Sequence, residues 1–499
     1  MWRIFLMVSL LCWSADGQRV TCRDETDEPV DWYIIYKAPR LNNIGTTGLE
    51  YLYIDSAGKK EETLDPQKLI NHPEGVLANT LRPIFTTSMT DNFGFITYSD
   101  QPPGCNAFAE YGHSKGVVMM DKTTGVWLLH SLPQFPFKRD PEKFWPRSGA
   151  ANAQTFICVT FNYDQFQHIG QHLLDIAAFP FDHHIPTGFH DQLKQATEKD
   201  LEERPRRDAN QIKTQLLTSA GVTSEGLTGT RRQFRSFAKR KIDIRTAGGE
   251  RILDDNIFDG DLYLAIAERY QTHVRVQTWH SENEACRSGK YEVIRIASLK
   301  AYLKNINLGK RLVNWEAGND HSKWCVGKDN NNDLICIADV NRAVTQYKRP
   351  GGGLCFRHKE ASDLFKDVIA GTEECPRLTP NCPYKRRRIN RDTDSYSDCV
   401  SDPGDSVSVS DPGDSVSVPE PGDSVSDPGD SVSVPEPGDS VSDPGDSVSV
   451  PEPGDSVSDP GDSVYDSDSD SESGGYRDVI VHLPQAPWYY IKRVKGKRS

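Results

Sequence analysis

Two tripeptides carry the chemistry this sequence offers most plainly, His113-Ser114-Lys115 and His321-Ser322-Lys323. Of 13 histidines, only these two are followed two residues later by lysine. One His-x-Lys means nothing at ordinary lysine usage, whereas two identical His-Ser-Lys triplets are rare by composition. On a strand, residues i and i+2 leave the same face, so imidazole and ammonium can meet one phosphodiester together while the serine points away. Lysine offers fixed positive charge to the non-bridging phosphate oxygens, where negative charge grows in the transition state. A neutral imidazole can attack phosphorus, and a second, protonated one can donate to the departing oxygen. That division needs two histidines in different states, and acid conditions favour the donor because the reference imidazole pKa is about 6.5. The scheme needs no metal and no cofactor.

The elements that must position these triplets show in the apolar pattern. Strand-like runs recur at 32–36, 51–54, 93–98, 117–120, 126–129 and 156–161. A helical period follows at Phe166, Ile169, Leu173, Leu174 and Ala177, and a second amphipathic helix is expected over 262–270. Strands are expected again at 274–279, 291–296 and 334–337, with a short helix over 361–369. Strands and helices mixed in both halves predict an α/β core. Residues 126–131 (Val-Trp-Leu-Leu-His-Ser) resemble 276–281 (Val-Gln-Thr-Trp-His-Ser), but the triplet precedes this pattern in the first half and follows it in the second. A faithful tandem repeat would preserve order, so this is weak evidence for duplication. The charged stretch 197–251 reads as solvated helix and loop faces, with a substrate-facing surface as the alternative.

The two ends differ from this core. Met1-Trp2-Arg3, an apolar run over 4–13 and Ala15-Asp16-Gly17 have the order of a secretory signal peptide, residues 1–17. That run is too short to span a bilayer and no later one is long enough, so the expectation is a secreted chain without a membrane anchor. Of 11 cysteines, Cys12 falls in the signal. The other ten face an oxidising compartment and include no Cys-x-x-Cys pair, which favours disulfides over a metal site. No Asn-x-Ser/Thr sequon occurs. Residues 392–475 hold 23 acidic residues and no lysine or arginine, and Pro-Gly-Asp-Ser-Val recurs eight times there. With valine as nearly its only apolar side chain, this repeat cannot bury enough surface to offset chain entropy, and it is expected to be a disordered acidic tail. A basic linker, 385–391, precedes it and a basic, aromatic segment, 476–499, follows. The formal charge of −14 therefore belongs to the tail, and the core is near neutral. Global charge says nothing about nucleic-acid binding.

With those motifs in hand, residues 20–380 resemble the DNase II family. The resemblance runs through Val30-Asp31-Trp32 with Tyr36-Lys37, Asn71-His72-Pro73-Glu74-Gly75 and Asp100-Gln101-Pro102-Pro103. Its closest blocks are 112–116 and 320–325 around the triplets, 127–136, and Gly351-Gly352-Gly353-Leu354-Cys355. The resemblance implies a phospholipase-D-like α/β fold over 18–384, whose two related halves, about 18–200 and 201–384, form one active centre. It also implies DNA as substrate, endonucleolytic hydrolysis at acid pH and 3′-phosphate products without a metal.

Carried over by motif, His113 is the nucleophile and His321 the general acid, the two labels being exchangeable, and Lys115 and Lys323 clamp phosphate. His130 has a supporting role. Asp339 and Asn341 form an Asp-x-Asn element that could orient a catalytic histidine. Asp320 either joins the site or caps a loop. The implied disulfides are Cys22–Cys158, Cys286–Cys375 and Cys336–Cys355. Cys105, Cys325, Cys382 and Cys399 stay unassigned, with Cys325 read as a buried structural thiol rather than a nucleophile. Departures are Pro350 before the glycine block and Val340 inside Asp-x-Asn. Asp121 also lies one residue too far from Lys115 for the phospholipase D motif, which argues against lipid hydrolysis. A catalytically weak DNA-binding or effector protein on the same scaffold is the competing reading. The sequence leaves a homodimer open and names no partner for the tail.

Overall fold

The computed structural model describes residues 19–62, 69–86, 88–198, 212–240, 246–247, 250–251, 260–279, 290–305, 309–373, 476–481 and 490–495. The expected signal peptide, the basic linker, the acidic repeat and the Cys286–Cys375 pair lie outside these residues. Two large sheets and a few short helices make a mixed α/β fold. The first sheet has the order Pro180–His184, Gly94–Ser99, Lys115–Met120, Thr124–His130, Gln154–Asn162, Trp32–Lys37, Tyr51–Asp55, Lys60–Glu62. Every pairing in it is antiparallel. The second runs Lys213–Thr218, Gln233–Lys239, Gly351–Arg357, Leu334–Ala338, Trp324–Gly327, Val274–Gln277, Val293–Asn305, Gly309–Glu316, and Ile369–Thr372 also pairs with Val293–Asn305. Only Val274–Gln277 and Val293–Asn305 pair in parallel here. By itself, the segment after the repeat forms a hairpin of Tyr476–Val481 with Tyr490–Lys495.

Alternation along each strand explains why there are several apolar layers. Trp32, Ile34 and Tyr36 join Trp127, Leu129, Trp324, Ile337 and Phe356 in one core shared by both sheets. Tyr33, Ile35, Val117, Met119, Val126 and Leu128, the alternate residues, pack beneath helix Val76–Leu81. The far face of the second sheet packs on helix Leu262–Tyr270. Both faces of a central strand are thus apolar, which is why its sequence reads as an uninterrupted run. The ring of Trp32 meets Phe356 at 5.2 Å and that of Tyr36 meets Trp324 at 6.0 Å, so aromatic edges join the sheets directly. Helix Leu262–Tyr270 begins where the Asp261 carboxylate accepts from the Tyr263 and Leu264 amides, and ends at left-handed Gln271.

The charged stretch 197–251 contains strands Lys213–Thr218 and Gln233–Lys239, not only solvated faces. Phe234, Ser236 and Phe237 are buried, Lys213 is exposed and Arg235 half-buried, while Lys239 is buried and its ammonium donates to the Gln346 and Tyr347 carbonyls at 2.9 and 3.0 Å. Helix 361–369 is shifted to Lys359–Asp367, and Ile369 opens a strand. The Cys22–Cys158 and Cys336–Cys355 bonds are present. Cys325 is a buried thiol opposite Cys336, and burial pushes its pKa up, so it remains a protonated packing group.

One buried histidine outside the triplets matters for stability. His172, in helix Phe166–Asp175, meets Trp127 edge-on at 4.8 Å, and among the described residues neither ring nitrogen has a hydrogen-bond partner. Burial lowers its pKa to about 4. The unfolded chain, near about 6.5, binds the proton first, so stability falls as pH drops from about 6.5 to 4. We expect His172→Leu to lessen the fall in thermal midpoint between pH 7 and pH 4.5. Parallel pH dependences in the two proteins would show that His172 does not titrate this way.

Candidate active site

Lys115 is the first residue of its strand and Lys323 immediately precedes Trp324–Gly327, so both triplets lie at strand mouths rather than along strands. The alternation expected for them therefore does not set their geometry; hydrogen bonds do. The His113 amide donates to the Pro350 carbonyl at 2.9 Å, and its Nδ1 lies 2.7 Å from the Asp339 carbonyl. A carbonyl only accepts, so Nδ1 carries the proton and Nε2 keeps its lone pair. Burial holds the pKa of His113 well below its ordinary value; Asp100 opposes this, while Lys115, Lys323 and Arg349 add to it. This imidazole is neutral and has a lone pair for attack.

The second triplet is anchored in the opposite sense. The His321 amide donates to the Ala153 carbonyl at 3.0 Å, and Asp320 makes a parallel bridge with Ala153, just before strand Gln154–Asn162 of the first sheet. Each triplet histidine is therefore held by main chain from the other half. The Lys323 carbonyl accepts from the Ala338 amide at 2.8 Å, and the next residue, Asp339, binds His113. The two triplets meet across that link. Burial, then Lys323, Lys115 and Lys37, push His321 down to about 4. Burial, then Lys115, push Lys323 down to about 7, against the pull of Asp100, Asp339 and Asp320. The Lys323 ammonium donates to the His321 carbonyl at 2.7 Å. The half-exposed Trp279 ring lies 4.9 Å from the His321 ring.

Among the charged residues of the site without a role assigned from sequence are Asp100 and Arg349. Asp100 is buried and accepts from Lys115 at 2.5 Å through one oxygen and from Arg349 at 3.0 Å through the other. Although burial pushes its carboxyl up, Lys115, His113 and Arg349 together hold it below the usual carboxylate range. Arg349 also donates to the Tyr111 carbonyl at 3.2 Å. Asp100 opens the Asp-Gln-Pro-Pro block and Arg349 precedes the glycine block. Those blocks were visible in sequence, but their pairing across the halves was not. The glycines permit close approach: a Cβ on Gly352 would stand 2.3 Å from the Phe237 carbonyl oxygen and 2.9 Å from His172 Cε1.

The Asp-x-Asn element reaches the two histidines through main chain and through Trp279. It is the Asp339 main-chain carbonyl that binds His113, while its carboxyl accepts from the Gly352 amide at 3.1 Å and is pushed well above the carboxylate range by burial, Lys115 opposing. Asn341 accepts from the Trp279 amide at 3.4 Å and so reaches His321 through Trp279. Tyr263 donates to the Val340 carbonyl at 2.7 Å and steadies the residue between them. His130 is buried between Phe135 and Phe156, and burial, then Lys115, lower its pKa to about 3. It is a neutral wall of the site. Asp320 is a loop organiser: it accepts from the Tyr36 hydroxyl, from Trp315 Nε1 at 2.9 Å and from the Ser322 amide at 2.9 Å. Asp121 caps the turn after its strand, accepting from the Thr124 amide at 2.8 Å.

Comparison with known proteins now decides the lineage. The family model for deoxyribonuclease II matches residues 21–375. The chain belongs to the deoxyribonuclease II family. Members are hydrolytic phosphodiesterases. Deoxyribonuclease-2-beta of Homo sapiens is 30% identical over 366 residues, covering 71% of this chain and 92% of that protein. Deoxyribonuclease-2-alpha of Sus scrofa is 29% identical over 398 residues, 76% of this chain and 98% of the relative. Plancitoxin-1 of Acanthaster planci is 26% identical, covering 72% and 93%. Both triplets, Asp100, Arg349 and the Asp-x-Asn element fall inside the deoxyribonuclease II match.

Removing one partner of a buried charge cluster leaves the others uncompensated, typically at a cost of about 3–5 kcal/mol. Asp100→Asn is accordingly expected to lower unfolding free energy by roughly 3 kcal/mol and to reduce catalysis by releasing Lys115. Denaturant titration checks the first; an unchanged midpoint would show that Asp100 is not the keystone of this cluster.

Proposed function

We propose that the chain is a secreted or lysosomal, metal-independent acid endodeoxyribonuclease, acting on DNA through the paired triplets and leaving 3′-phosphate ends. In this reading the two sheets correspond to the two halves of a phospholipase-D-like fold. The observation that carries it is the reciprocal anchoring of His113 and His321, with Lys115 and Lys323 acting electrostatically on both rings.

The chemistry follows from the protonation states. His113 Nε2 attacks phosphorus, a P–N bond forms and the P–O5′ bond breaks. His321 donates its proton to the departing 5′-oxygen. Water then attacks the phosphoryl group, His321 takes the water's proton, and His113 leaves with its lone pair restored, which releases the 3′-phosphate. In the unliganded site His321 is near 4 and mostly neutral at pH 5. A phosphodiester anion between the lysines reverses the local field and favours imidazolium, so substrate itself recruits the acid. The lysines meet charge that grows on the non-bridging oxygens, and their positive field disfavours a divalent cation in the same place.

Acid preference also follows from Lys323. With a pKa of about 7, its ammonium is present below neutrality and lost above it. The kcat/KM profile, which reports the free enzyme, should therefore fall above the His321 pKa of about 4 and carry a second, steeper alkaline limb near pH 7, where Lys323 loses its proton. In Lys323→Arg overall activity should fall and the second limb move up by more than one unit, because guanidinium keeps its charge. A limb that stays in place removes Lys323 from this role.

The direct test is plasmid nicking near pH 5 and pH 7.5 with a chelator present. Wild type should nick at low pH, while His113→Ala and His321→Ala should each lose at least 100-fold, the lower range for general acid–base catalysis being about 10²-fold. Equal nicking by the variants sinks the site assignment; DNA binding without nicking favours the binding-protein reading. Removing 392–499 should leave nicking intact if the tail is a spacer.

A further inference from the structure

Strand Val293–Asn305 is longer than its neighbours, and its register shows where the excess lies. It runs parallel to Val274–Gln277 with Val276 level with Arg295, which puts Ser298 level with Trp279, the ring beside His321. From there it continues for seven residues, paired with Gly309–Glu316 from Ser298↔Glu316 to Asn305↔Gly309. At about 3.3 Å per residue this hairpin projects roughly 20 Å past the triplet level.

Its two faces are chemically opposite. Leu299, Ala301, Leu303, Val313 and Trp315 are buried in the shared core. Lys300, Tyr302 and Lys304 alternate with them and are exposed. The register sets Asn314, Leu312 and Lys310 opposite those three. Tyr302 is 51% exposed, and Lys310 Nζ lies 5.3 Å from its ring centroid. Glu316, at the base, is the only carboxylate among the described residues that the pairing places on this face. A near-neutral core thus carries one projecting ribbon on which three ammonium groups surround a phenol.

We infer that this outward face is a docking surface for the phosphate backbone of duplex DNA, holding the flank of a long substrate while the paired triplets act. The inference rests on the proposed function and adds where the polymer runs. Lysines neutralise phosphates without reading sequence, and a tyrosine hydroxyl can donate to a phosphate oxygen. The face therefore favours long DNA over small phosphodiesters and contributes no base specificity.

The test compares Lys300→Glu/Lys304→Glu/Lys310→Glu with a control of equal charge change elsewhere, Lys143→Glu/Lys213→Glu/Lys359→Glu. Both are made in full-length His321→Ala so that DNA is bound but not cut, and thermal midpoints are matched first. Fluorescence anisotropy of a labelled 40-base-pair duplex at pH 5 is read against salt. Each phosphate contact adds about 0.9 to the slope of log K against log salt. The hairpin variant should lose about 2–3 from that slope and at least 10-fold in affinity at low salt, and the control less than 2-fold. In the active background, plasmid nicking should fall while hydrolysis of bis(p-nitrophenyl) phosphate stays unchanged. Equal slopes for the two triple variants overturn the inference. So does a difference that emerges only after removal of 392–499, which would assign the face to the chain's own acidic repeat. Failure of wild type to cut DNA would count against the proposed function alone, because binding still decides the docking face.

Discussion

The two halves are bound to each other at the point where chemistry is proposed. His113 reaches across to the Asp339 and Pro350 carbonyls, and His321 reaches back to Ala153. These bonds use main-chain acceptors, which cannot swing away as a side chain can. They set the tautomer of His113 and tie its position to that of Lys323 through the adjacent residues Ala338 and Asp339. Separate the sheets and the tautomer, the facing lysines and the neutral imidazoles are lost together.

Burial gives this arrangement its chemistry. Two lysines, an arginine and two histidines act on one another electrostatically, and Asp100 pairs with Lys115 and Arg349. Burial first, and then the crowding of cations that lower one another's proton affinity, is why Lys323 sits near 7 and His321 near 4. An incoming phosphate relieves that repulsion. The same crowding makes the cluster costly to disturb, so stability and proposed catalysis depend on the same carboxylate.

Much of the scaffold was legible in sequence. Helix 262–270 has its expected limits because Asp261 caps it and its apolar period is intact. The central strands appear as expected because both faces are buried. Strands Lys213–Thr218 and Gln233–Lys239 were hidden by their charged residues, of which Lys239 is buried and satisfied by main-chain carbonyls, and Gly351–Arg357 by glycines that lower strand propensity yet allow close packing. The reversed order of triplet and Trp/His pattern in the two halves weakened the case for duplication. In space the difference narrows: Gly116 pairs with Leu129 in one half and Trp324 with Gln277 in the other, so each triplet strand lies beside its own Trp/His strand.

What sequence alone determined was the inventory: two triplets, the family blocks, the buried strands and an acidic repeat with too few apolar groups to make a core. Those follow from residue type and local period, which need no knowledge of distant neighbours. Tertiary structure decided which atoms act on which. It put the Asp339 carbonyl rather than its carboxylate on His113, paired Asp100 with Arg349 across the halves, and set the pKa values of His321 and Lys323. The physical reason is that hydrogen bonds and buried charges depend on separation in space and on solvent exclusion, and both are fixed only when the sheets close on each other.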